Sequence, residues 1–79
     1  MKEKTRSYLI SLLQEKKALN RAMIEERQRW LDYHGRDVKH FNKIHDQTFD
    51  DYQKWANDII KKHEDRIVEL DEMIGEITG

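Results

Sequence analysis

The chain has 79 residues, of which 39% are charged and 37% are apolar, and it carries a formal net charge of −1 with no cysteine or proline. This length allows one domain over residues 1–79, and the lack of cysteine excludes a disulfide framework and a thiolate metal site. The sequence contains no apolar run near the roughly 20 residues that span a bilayer and no signal-peptide core after its first residues. We therefore expect a cytoplasmic, all-α protein of long, charged helices.

The first predicted helix covers residues 5–34. Its apolar residues recur at alternating steps of three and four, the spacing of one helix face. This stripe consists of Leu9, Leu12, Leu13, Leu19, Met23 and Trp30. Lys16, Glu26 and Arg27 interrupt the stripe, although long basic stems can lie over apolar neighbours. We expect this stripe to face the second helix.

A tight turn is predicted at residues 34–37. Gly35 suits the left-handed position that ends many helices, because it has no Cβ to clash with the backbone. Asp37 suits the N-cap of the next helix, where its carboxylate accepts from amides of the first turn. A connection this short makes the two helices antiparallel neighbours.

The second predicted helix covers residues 38–77. Its apolar face extends from Phe41 to Ile77, and neither glycine nor proline interrupts the segment around residues 45–51. We therefore favour one continuous helix, which places Trp30 opposite Phe41 and Leu19 opposite Tyr52. The alternative is a break followed by a new helix at Thr48, because Thr-x-x-Asp is a variant of the capping box.

A continuous second helix is longer than the first, and its excess predicts an oligomer contact. The apolar stripe continues beyond the last residue that the first helix can cover. The uncovered residues are Ile67, Leu70, Met73, Ile74 and Ile77. A second copy is the expected cover, since residues 1–34 have eight Lys and Arg against five Asp and Glu while the remainder is acidic. We expect a coiled-coil-like hairpin that forms a homodimer, a four-helix bundle.

Six of the seven aromatic residues cluster around the turn. Two thin helices cannot hide so many rings, so part of the cluster is expected to face a partner protein. The predicted partner-binding residues are Trp30, Tyr33, Phe41, Phe49, Tyr52 and Trp55. Packing of the same rings as the core of the hairpin is the alternative.

Most other functional classes are disfavoured by the sequence. A hairpin has no cleft to shift the pKa of its carboxylates, and no phosphate-binding loop or nucleophile motif is present, so we expect no enzyme and no cofactor. His40 and His45 are five residues apart, which is not a helical metal-ligand spacing, so we expect no metal. The preferred interpretation is an inhibitor, adaptor or regulator that binds a protein, a type common among phage and mobile-element accessory proteins.

Two alternatives to this interpretation remain open. The first is a nucleic-acid-associated regulator that uses the basic first helix. A DNA-binding domain usually has an excess of positive charge overall, whereas this chain has a pI near 6.4. The second alternative is a purely structural coiled-coil assembly factor.

Overall fold

The computed structural model describes residues 2–79 and contains three helices, α1 (Glu3–Gly35), α2 (Val38–Ile44) and α3 (Phe49–Thr78). The two long helices, α1 and α3, lie side by side and antiparallel, and the molecule measures 58 × 16 × 14 Å. The prediction of an all-α chain in which two long helices pack together is confirmed. Among the described residues, no helix is both long enough and apolar enough to cross a membrane.

The prediction of one continuous helix over residues 38–77 is wrong, because the chain leaves the helical conformation between His45 and Thr48. Both residues have extended backbones, with φ/ψ of −110°/152° and −73°/156°. Polar side chains replace the helical hydrogen bonds: Asn42 Oδ1 accepts from the Phe49 N–H at 2.7 Å, and Thr48 Oγ1 accepts from the Asp51 N–H at 3.3 Å. The alternative start at Thr48 is therefore confirmed, with the threonine as N-cap.

In the turn between α1 and α2, the structure confirms the prediction for Asp37 and contradicts the prediction for Gly35. Asp37 is the N-cap of α2, since its Oδ1 accepts from the His40 N–H at 3.1 Å. Gly35 has no positive φ and belongs to α1, so the prediction of a left-handed glycine is wrong. A Cβ added at Gly35 would lie 3.4 Å from Phe49 Cζ, an ordinary contact, so neither the backbone nor the available space requires glycine there.

The break also changes which residues of the two long helices face each other. Asn20 Oδ1 lies 2.8 Å from His63 Nδ1, and Lys17 forms an ion pair with Asp71. The predicted pairing of Leu19 with Tyr52 is therefore wrong, because residues 38–48 form α2 and its link instead of lengthening the second long helix. As a result, α3 lies along most of α1, while residues 3–8 at the start of α1 stay exposed.

The overhang that supported the predicted oligomer contact does not exist. Leu70 is only 4% exposed within its own chain, and Ile67, Ile74 and Ile77 are half-buried against α1. Met73 alone of the five residues is exposed. The uncovered end that was the reason to predict an oligomer contact is therefore absent, because α1 already covers most of the segment; the residues of that predicted contact are Ile67, Leu70, Met73, Ile74 and Ile77.

The face that α1 turns toward α3 is a stripe of half-buried residues, which we call the inner seam. Its members recur at alternating steps of three and four, as in a heptad pattern. They are Ile10, Leu13, Lys17, Asn20, Ile24, Arg27, Leu31 and His34. Half of them are polar, and each polar member has a specific partner on α3. This seam is therefore less apolar than the stripe that the sequence suggested.

The opposing face of α3 is apolar and supplies most of the buried surface. Ala56 and Ile60 are buried near its middle, and Leu70 is buried toward its C-terminal end. Burying a large aliphatic side chain contributes roughly 1.5–3 kcal/mol. The packing of α3 therefore stabilises the helix pair, while the polar members of the inner seam select which residues lie opposite one another.

Candidate functional site

All three helices contribute rings to one end of the molecule, and we call this group the turn cluster. The end of α1 supplies two aromatic rings and an imidazole, α2 and its C-cap supply a phenyl ring and an imidazole, and the start of α3 supplies three aromatic rings. The members are Trp30, Tyr33, His34, Phe41, His45, Phe49, Tyr52 and Trp55.

Phe41 lies at the centre of the turn cluster and is only 3% exposed. Its ring centre is 5.0 Å from that of His34, 4.2 Å from His45 and 5.1 Å from Tyr52. The Phe49 ring meets it edge to face at 5.6 Å. These tilted and edge-to-face geometries are the ones that aromatic quadrupoles favour. Phe41 therefore holds α2 against both long helices.

His34 joins the exposed part of the turn cluster to its interior. Its imidazole stacks on Trp30 with ring centres 5.6 Å apart and meets Tyr52 edge to face at 5.5 Å. Because His34 lies between Trp30 and Phe41, the predicted direct pairing of those two rings is wrong. Sequence reasoning missed His34 and His45 as cluster members, although each follows an aromatic residue by four positions, the spacing of helical neighbours.

Trp55 extends the turn cluster along the helix pair. Its ring centre is 5.9 Å from that of Tyr52, and the guanidinium carbon of Arg27 lies 4.7 Å from the centre of the Trp55 ring. A cation over an indole face contributes about 0.5–1 kcal/mol at an exposed site, so Arg27 restrains a ring that remains open to solvent.

The structure brings the six predicted partner-binding residues to one end of the molecule but gives them different exposures. Phe41 is buried and cannot touch a partner, and Phe49 and Tyr52 are half-buried. The exposed fractions are 47% for Trp30, 62% for Tyr33 and 48% for Trp55. The surface is therefore formed by three of the six rings, with the other three as their support.

A second apolar surface follows the side of α1 next to the inner seam, and we call it the outer stripe. Its members are Leu9, Leu12, Lys16, Leu19, Met23, Glu26, Trp30 and Tyr33. Leu19 is 57% exposed and Met23 is 42% exposed. This is the stripe that the sequence assigned to the contact with the second helix. The structure instead leaves its central part open, because α3 covers the inner seam.

Two clefts lie at opposite ends of the helix pair. A cleft of about 360 Å³ between the end of α1 and α2 is lined by Tyr33, Phe41 and Ile44 together with His34, Arg36, Asp37 and His40. A groove of about 370 Å³ between the start of α1 and the end of α3 is lined by Leu9, Leu12, Leu13, Met73 and Ile77, with Lys16 and Glu76 at its edge. Both offer apolar walls with charged rims.

The turn cluster, the outer stripe and the two clefts offer mainly apolar contacts to another molecule. Within residues 2–79, the histidine and acidic side chains do not form a group of three or more that could hold a metal ion. His34 and His45 approach each other edge to face at 5.8 Å, as members of the ring packing. Exposed rings on a packed base can bind an apolar or aromatic surface of another molecule.

The fold and the surfaces define a small all-helical chain with an aromatic end and an exposed apolar stripe. Comparison with protein-family models, curated proteins and solved structures finds no match to this chain.

Proposed function

We propose that the chain is a small cytoplasmic protein–protein interaction module that acts by binding a partner protein as an inhibitor, adaptor or regulator. The observation that carries this proposal is the exposure of Trp30, Tyr33 and Trp55 on one end of a chain that is otherwise densely charged. Large exposed apolar surfaces on small proteins are typical of binding sites.

The rings of the turn cluster are well suited to binding because they are already ordered. Trp30 is stacked on His34, and Trp55 lies between Tyr52 and Arg27. A partner therefore meets side chains that lose little further conformational freedom on binding. Tryptophan, tyrosine and arginine are also the residues that most often dominate the energy of protein interfaces.

Exposed apolar residues of α2 extend this surface around the tip of the molecule. Ile44 is 59% exposed and borders the cleft that Tyr33 also lines. Val38 is exposed at the start of the same helix. A helix or an extended segment with two or three apolar side chains is the kind of partner surface that fits here.

We expect the double substitution Tyr33→Ala and Ile44→Ala to abolish capture of the partner while the chain remains folded. Truncating an anchor of this kind usually weakens an interface by roughly 2 kcal/mol or more. The measurement is affinity capture from nuclease-treated lysate of the source cell with the wild-type and variant chains as baits, followed by quantitative mass spectrometry.

Val68→Ala is the matched control, because Val68 is exposed on α3 outside both surfaces. A protein captured by the wild type and by the Val68 variant, and lost from the double variant, supports the proposal. Equal capture by all three baits contradicts it. Retention of nucleic acid without a protein before nuclease treatment, weakened by salt, would favour the nucleic-acid alternative instead.

A further inference from the structure

The spacing of the outer stripe is the same in both directions along α1. Its members follow one another at alternating steps of three and four from Leu9 to Tyr33. In an antiparallel pair of such helices, each member of one stripe lies opposite a member of the other. Two copies of α1 would therefore place Leu19 opposite Met23, Leu12 opposite Trp30 and Leu9 opposite Tyr33, each twice by symmetry.

The charges of the outer stripe obey the same symmetry. Lys16 and Glu26 are its only charged members, and the antiparallel arrangement sets Lys16 of one copy opposite Glu26 of the other. Among residues 2–79 neither side chain takes part in an ion pair within the chain. With a second copy in this arrangement, Lys16 and Glu26, which interrupt the apolar pattern, form two ion pairs between the copies.

The groove at the far end of the helix pair matches the ring that this arrangement brings to it. Trp30 is 47% exposed, and its opposite residue, Leu12, lines the groove of about 370 Å³ with Leu9, Met73 and Ile77. A tryptophan side chain buries much apolar area in such a setting. Each copy therefore offers a tryptophan and an apolar groove that receives the tryptophan of the other copy.

We propose that the outer stripe is a self-association surface, on which two chains pair antiparallel through their α1 helices and leave the turn clusters at opposite ends of the dimer. The inference rests on the proposed function, because it names a second copy as the partner of part of the same exposed surface. Val38 and Ile44 remain open at each end for a different protein.

A rival arrangement lays the outer stripe of one copy on α3 of the other. That flank of α3 has helical spacing and three exposed charged residues; its members are Ile59, Lys62, Arg66, Glu69 and Met73. Such a contact sets Lys62 and the Arg66–Glu69 ion pair, whose atoms lie 3.4 Å apart, against the apolar centre of the outer stripe, where burying charged groups is costly. The antiparallel α1 pair avoids this by keeping these charged groups at the rim of the interface.

The experiment is a charge-swap cycle measured by sedimentation equilibrium over a range of concentrations of the full chain. Lys16→Glu and Glu26→Lys each create two like-charge pairs and are expected to weaken dimerisation about tenfold or more. The double variant restores opposite charges and is expected to regain the wild-type constant. Arg21→Glu is the control, because Arg21 is exposed outside the outer stripe and its replacement should leave dimerisation unchanged.

Each alternative outcome overturns the inference in a recognisable way. A wild-type chain that stays monomeric at every soluble concentration removes self-association altogether. A dimer weakened by Lys16→Glu but not rescued in the double variant contradicts the antiparallel α1 pair and favours packing on α3. In both cases capture of another protein through Tyr33 and Ile44 would leave the proposed function standing, so the two ideas fail separately.

Discussion

Replacing Phe41 with alanine is expected to lower the free energy of unfolding by about 3–5 kcal/mol, the usual cost of emptying a buried aromatic site. Phe41 is 3% exposed and packs against rings from both long helices. A small domain is stable by roughly 0.05–0.15 kcal/mol per residue, so this loss is a large share of the total. The measurement is urea unfolding followed by circular dichroism, with near-ultraviolet signals to report ring packing.

Ile44→Ala is the matched control for Phe41→Ala. Both residues belong to the short helix α2, but Ile44 is 59% exposed, so its truncation should change stability by no more than about 0.5 kcal/mol. Equal losses for the two variants would show that Phe41 does not hold α2 in place.

Replacing Leu70 with alanine is expected to cost about 2–5 kcal/mol, because Leu70 is buried between the two long helices of a single chain. Removing everything after Arg66 is expected to do more and unfold the chain. That truncation removes the apolar end of α3 and the Asp71 carboxylate that pairs with Lys17. Thermal and urea unfolding of the variants measure both effects.

Val68→Ala is the control for Leu70→Ala, since Val68 is 55% exposed two positions earlier on α3. A continuous second helix with an uncovered end would give a different result, namely a truncated chain that stays folded and changes only its oligomeric state. A folded monomer after truncation at Arg66 would therefore contradict the structure and favour the uncovered end.

The parts of the fold that depend on local chemistry could be predicted from the sequence. Asp37 reads as an N-cap because its carboxylate reaches amides only three residues away, and the structure has this bond. The antiparallel arrangement of two long helices is also as predicted, although in the structure the short turn joins α1 to α2, and residues 36–48 as a whole connect α1 to α3. The convergence of the aromatic residues at one end follows from their position around that turn.

The break before α3 depends on a contact that local patterns describe poorly. Thr48 and Asp51 have the spacing of a capping box, which predicts a helix start. No glycine or proline lies nearby to end the preceding helix, so the sequence favoured one continuous helix. The stronger contribution comes from Asn42, whose side chain accepts from the Phe49 amide seven residues later. An asparagine inside a helical pattern carries no mark of such a role, so the sequence favoured continuity.

The choice between the two stripes of α1 could not be made from periodicity either. Both have the same three-and-four spacing, and the outer stripe is the more apolar at its centre. The inner seam nevertheless faces α3, because its polar members find individual partners: Lys17 with Asp71, Asn20 with His63, and Arg27 with Trp55. Such pairings exist only in three dimensions. The functional consequence is that Leu19 and Met23 are left exposed.

The most direct test of this account is a comparison of Leu19→Gln with Ile24→Gln by urea unfolding, at a concentration low enough for monomers. Leu19 belongs to the exposed outer stripe and Ile24 to the half-buried inner seam. We expect a loss of about 2 kcal/mol or more for Ile24→Gln and a change within about 0.5 kcal/mol for Leu19→Gln. A loss for Leu19→Gln as large as that for Ile24→Gln would contradict this account, because the outer stripe would then hold the fold together and could not be a free surface on which a second copy of the chain packs.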